Sequence, residues 1–132
     1  LNLIESNEID EMHLAIYRIN QPTVESIISF IECGKIKKAS FLISNFFNQT
    51  KKPEVWAKRL KAFCETNPNC KHAYTHNHSK VLCVRIGNDH YVFEGSGNMS
   101  DNARVEQYLY ENSKQSFDFH KGWINEIIDN GY

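Results

Sequence analysis

The stretch His76-Asn77-His78-Ser79-Lys80, followed further along by Gly95-Ser96-Gly97-Asn98, holds the residue types with the most chemistry in this chain. Residues two apart in a strand project from the same face, so His78 and Lys80 are expected to point together. An imidazole beside an ammonium is an odd pair, because a nearby positive charge disfavours protonation of the histidine. The pair makes sense around an anion. Gly95 and Gly97 would let the backbone approach a ligand closely, and the loop N–H groups, including that of Ser96, would form an anion nest. Asn98 adds an amide donor. A neutral nucleophile or base, a fixed cation and several neutral donors are what phosphoryl transfer without a metal requires: a group to attack phosphorus, and charge stabilisation of the equatorial oxygens.

Other polar residues have plainer readings. His76 shares the face of His78 and stands between substrate contact and structural neighbour. Ser44 and Asn45 close an apolar run and read as strand-end capping, and His120 reads as packing or surface. Cys64, Cys70, His72 and His76 offer thiolate and imidazole ligands in a short window. Their spacing matches no common zinc arrangement, and Cys64 falls on the apolar face of a helix. No metal and no cofactor are therefore expected.

The elements that must position these residues follow from apolar periodicity. A first strand is expected over 12–19, then a helix capped by Thr23, with Val24, Ile27, Ile28 and Ile31 on its core face and Gly34 past its end. The run ASFLISNFF, 39–47, reads as a buried strand. Pro53 suits the first turn of a helix carrying Trp56, Leu60, Phe63 and Cys64 on one face, ended by Asn67-Pro68-Asn69. Strands are expected over 71–76, 81–86 and 91–94, the last two joined by Gly87-Asn88-Asp89. Residues 105–111 alternate, and Phe119, Trp123 and Ile127, with Ile124 and Ile128, form a last amphipathic helix. This order predicts an α/β fold, a mixed sheet with helices on its faces.

The chain has 132 residues, 41% hydrophobic and 23% charged, which suits one globular domain over 1–132. Its first residues are acidic and lack an initiator Met, so a piece of a longer protein is expected. No apolar run reaches the ~20 residues that cross a bilayer, and no secretory signal is evident. Membrane partners are not expected; a reduced, cytoplasmic setting is, with the four cysteines as free thiols. The net charge of −1 argues against a protein that coats nucleic acid. Lysines and an arginine between Lys35 and Lys61 could still gather into a patch that steers phosphates, though a solvated surface explains them as well.

His78-Ser79-Lys80 followed by Gly95-Ser96-Gly97-Asn98 resembles the HxK…GSxN signature of the phospholipase D superfamily, and Glu106 resembles the acidic residue that commonly follows it. There is one departure. Where that pattern has an Asp after the Lys, this chain has Arg85, and the nearest acid is Asp89. The resemblance implies a phospholipase D-like half-domain in which His78 attacks phosphorus to give a phosphohistidine. Lys80 and Asn98 would hold the non-bridging oxygens with help from Gly95, Ser96 and Gly97, and Glu106 would orient His78. A second imidazole must protonate the leaving oxygen, which implies a symmetric homodimer with the site at its two-fold axis. The activity implied is a metal-independent phosphodiesterase, a nuclease on DNA or RNA. The alternative is a catalytically silent module that binds nucleic acid or a protein. Lipid phosphodiesters rank lower, since no basic amphipathic helix is evident.

Overall fold

The computed structural model describes residues 7–44, 55–95 and 107–131. Along the chain these form β1 (Glu11–Ile16), α1 (Gln21–Glu32), β2 (Ala39–Ser44), α2 (Val55–Thr66), β3 (Cys70–Thr75), β4 (Val81–Ile86), β5 (Asp89–Gly95), β6 (Tyr108–Asn112) and α3 (Lys114–Asn130). The strands make one mixed sheet in the order β3-β2-β1-β4-β5-β6. β1, β2 and β3 are parallel to one another; β4, β5 and β6 continue the sheet antiparallel. The fold is α/β with helices on both faces, as the element order predicts.

β1 and β2 are the centre, buried at all their positions. Alternation sends Met12, Leu14, Ile16, Phe41 and Ile43 to the face covered by α1 and α2. The opposite face presents Ala15 and Leu42 to Ile124 of α3, and Cys83 and Val92 pack there with Phe117. α1 and α2 present the apolar stripes expected of them, Val24, Ile27, Ile28 and Ile31 on one, Trp56, Leu60, Phe63 and Cys64 on the other. Among the described residues, no helix is long and apolar enough to cross a membrane.

Several boundaries shift. The α1 cap is Asn20, not Thr23: the Asn20 side chain accepts the Thr23 N–H at 3.0 Å. Pro22, which has no N–H to lose, then falls in the first turn, where that loss costs nothing. β1 ends at Ile16 rather than 19. β2 is described to Ser44, and Asn45 and Pro53 lie outside the described residues. α3 begins earlier than its apolar pattern suggested, with Ser113 accepting the Ser116 N–H at 3.2 Å. That start turns Phe117 inward at 1% exposure and leaves Phe119 at 67%, so Phe119 is not a core residue.

The contrast is measurable. Phe117→Ala should cost about 3–5 kcal/mol by urea unfolding, whereas Phe119→Ala should stay within about 0.5 kcal/mol of the parent. Equal losses would mean that α3 is rotated from the orientation described.

Candidate functional site

His78 and Lys80 lie not in a strand but in the 76–80 connection between β3 and β4. Same-face alternation therefore does not bring them together. Two other residues do. Asn77, 5% exposed, donates from its side-chain amide to the carbonyls of Ile16 at 3.3 Å and Leu42 at 3.0 Å, while its oxygen accepts the Ser79 N–H at 2.9 Å. This ties the connection to the C-terminal ends of β1 and β2 and bends it through an Asx turn. Tyr17, the first residue after β1, then stacks on the His78 ring, with centroids 4.4 Å apart and planes 24° from parallel. The Lys80 ammonium lies 5.9 Å from the centroid of the same Tyr17 ring and donates to the His78 carbonyl at 2.9 Å. A cation at that distance is attracted by the negative face of the ring.

The His78 side chain is exposed and Lys80 is half-buried. The pair faces solvent at the edge where the parallel strands end, the usual place for ligands on sheets of this kind. Gly95 borders it, its N–H donating to the Lys80 carbonyl at 3.1 Å. The ring of Tyr108 lies across the Gly95 α-carbon, where any β-carbon would collide with it. Glycine at this position thus admits an aromatic ring, and its amide is already taken. Ser96, Gly97, Asn98 and Glu106 lie outside the described residues. His76 is exposed on the same connection, and Ser44 is buried at the end of β2.

Neither substitute for the expected acid is at the site. Asp89 pairs with Ile86 at the far end of the β4–β5 hairpin and accepts from the Asn112 amide at 3.0 Å. That is roughly 17 Å of strand away from the Lys80 end. Arg85 lies opposite Glu11 in the β1–β4 register, with its Nε 3.2 Å from the Glu11 carboxylate and its Nη1 3.4 Å from Asp10. Burial pushes the Glu11 carboxyl up. Hydrogen bonds from Lys121, His13 and Arg85 outweigh that and bring it down to about 2.

Sequence reasoning missed Tyr17 and Asn77. The Asn-x-Ser spacing of an Asx turn was the available signal for Asn77; nothing local marks Tyr17. On the other face of the same edge, His120 accepts the Trp123 indole N–H on Nδ1 at 3.0 Å and turns Nε2 to the Glu94 carboxylate, a more definite role than packing. Cys64 and Cys70 are buried free thiols, and His72 meets the Tyr74 ring edge-on at 5.8 Å. Among the described residues, no three metal-ligating side chains gather.

No family model matches the chain, and no curated protein matches it. A polyphosphate kinase from Porphyromonas gingivalis shares its fold, with a TM-score of 0.62 and 16% identity over 98% of this chain. The chain spans 21% of that kinase's length. At such identity the likeness shows the fold alone. The resemblance to the phospholipase D superfamily is accordingly corrected: the comparisons give no family support for it, and the structural neighbour named is a kinase.

Two outcomes follow from the geometry. Asn77→Ala leaves two carbonyls and an N–H short of a partner and should lower stability by about 2 kcal/mol in urea unfolding. For Glu11, the folded carboxyl titrates below its ordinary value of 4.5, so its stabilising effect is complete above pH 4.5 and is lost as pH falls toward 2. Unfolding free energy should decline over that window, and Glu11→Gln should flatten the decline; an unchanged slope would refute the assignment.

Proposed function

We propose that this chain is a metal-independent phosphodiesterase, a nuclease that cleaves nucleic-acid phosphodiester bonds through a covalent His78 intermediate. The observation that carries the reading is the exposed His78 ring stacked on Tyr17 with the Lys80 ammonium beside it. A Tyr17 ring that fixes the imidazole plane holds a nucleophile ready without engaging its nitrogens, and a neighbouring cation offsets the charge of an incoming phosphate. A ring nitrogen of His78 bonds to phosphorus as the bond to the leaving oxygen breaks, and that oxygen takes a proton from a second acid. Water then attacks the phosphohistidine, releasing a phosphate monoester and restoring the imidazole. Lys80 and Asn98 hold the non-bridging oxygens with the Ser96 and Gly97 amides, and Glu106 orients His78. The second acid is His78 of another copy, in a homodimer with the site on its axis.

Nucleic acid is favoured over other diesters by the surface beside the site. On the Val84 side of the sheet, Tyr91 stacks on Tyr110 at 5.8 Å and Phe93 lies 5.1 Å from Tyr110. Tyr108 and Tyr110 are exposed, and Tyr108 reaches Gly95. Aromatic rings leading to a lysine form a stacking platform for unpaired bases. The fold neighbour's name, a polyphosphate kinase, agrees with phosphate chemistry on this scaffold.

A second reading, a catalytically silent module that binds nucleic acid or a protein, is favoured by Arg85 at the expected acid position and by the Lys80 ammonium turned back onto the His78 carbonyl. Single-stranded oligonucleotides separate the two. His78→Ala should slow hydrolysis by at least about a thousandfold, and Lys80→Ala by about a hundredfold. EDTA should leave the rate unchanged, and alkaline denaturation during turnover should retain an enzyme–nucleotide adduct that His78→Ala lacks. Full activity in His78→Ala rejects the nucleophile; binding with neither hydrolysis nor adduct selects the silent module.

A further inference from the structure

A cavity of about 410 Å³ opens where β1, β2 and β3 begin, at the other end of β1 from Tyr17 and His78. Volumes of this order take a small organic molecule rather than a lone ion. Its floor is buried and polar: Ser40, His13 and Glu11 are 4%, 5% and 8% exposed. Ser40 Oγ donates to Asn125 Oδ1 at 2.8 Å, Asn125 Nδ2 stands 3.0 Å from His13 Nδ1, and His13 Nε2 stands 2.9 Å from Glu11 Oε1. The orientation of the Asn125 amide is fixed by its donation to the Lys121 carbonyl at 2.8 Å. Nδ1 of His13 must then accept, and its proton lies on Nε2, facing Glu11. Burial holds this imidazole below its ordinary range even against the pull of Glu11. The floor is therefore a satisfied, neutral network around one carboxylate.

The rim is positive. Lys38, Lys71 and Lys121 line the cavity, and Glu11 is the single carboxylate among the lining residues, a surplus of two positive charges on a chain whose net charge is −1. Lys121 rests on Glu11 at 2.7 Å, Lys71 reaches the half-exposed Asp129 at 2.8 Å, and Lys38 has no ion-pair partner among the described residues. Compact ammonium groups on flexible stems suit a multiply charged anion that each can approach singly. A phosphate monoester has nearly two negative charges at neutral pH and three terminal oxygens, whereas one carboxylate would leave the surplus half met.

We infer that this cavity binds a small phosphate monoester, its phosphate held by Lys38, Lys71 and Lys121 and its organic part lying against Pro68. The inference is independent of the chemistry at His78. That residue is at the opposite end of β1, and the cavity lies on the α3 face.

Calorimetric titration with adenosine monophosphate tests it, with adenosine and citrate as comparison ligands. Wild type and Lys80→Ala should bind the monophosphate alike, adenosine should give no heat, and Lys38→Glu/Lys71→Glu should weaken binding by at least about tenfold. Should the double reversal disturb the fold by circular dichroism, Lys38→Gln and Lys71→Gln taken singly should each still weaken it. Undiminished affinity in the folded lysine variants, loss of binding in Lys80→Ala, no binding to wild type, or tighter binding of citrate would each overturn the assignment.

Discussion

The side-chain amide of Asn77 closes the C-terminal ends of two neighbouring parallel strands at once, through the Ile16 and Leu42 carbonyls. Those carbonyls lie beside the end of β1, where its pairing with β2 stops and buried acceptors need another donor. A backbone N–H could satisfy one of them; a carboxamide reaches both and retains an oxygen to turn its own chain. Because Asn77 is held, His78 emerges beside Tyr17, and Lys80 enters β4 next to Gly95. The position of the candidate nucleophile is thus set by a neutral residue with no chemistry of its own.

The sheet explains why polar chemistry collects at both ends of β1. This strand has a parallel neighbour on one side and an antiparallel one on the other, and both its faces are covered. Its middle admits only apolar side chains, so Leu14 and Ala15 fill it. Its ends meet connections and helix flanks, where charged groups can be paired or solvated. At the start, Glu11 and His13 are buried, but each finds partners in α3. At the finish, Ile16 gives way to Tyr17, whose ring stays against the core while supporting His78.

Much of this was legible in the sequence because it depends on period and on local signals. The apolar stripes of α1 and α2, the buried run opening at Ala39 and the β4–β5 hairpin all follow from spacing and turn residues. What failed depended on distant partners. Thr23 looked like a cap, but the first turn is set by Pro22 and by Asn20 reaching back. Phe119 looked like core because its spacing to Trp123 fits a helix, yet Ser113 starts that helix with Phe117 inward. His78 and Lys80 were expected to meet through strand alternation, and they meet through a tyrosine remote in sequence. The cavity floor joins Ser40, Asn125, His13 and Glu11 from three elements, a pattern that no window of sequence displays.

Arg85 belongs to the Glu11 end of β1. Its register opposite Glu11 places its guanidinium against a buried carboxylate that also holds Lys121 and His13. An aspartate in its place would set a second carboxylate against Glu11 on a covered face, remove one of the cations that keep Glu11 ionised, and leave Asp10 with less compensation. The acid expected at 85 and the acid present at 11 are therefore alternatives. With Glu11 on the cavity floor, a base at position 85 adds to the compensation of that carboxylate, and position 85 lies at the other end of β4 from Lys80.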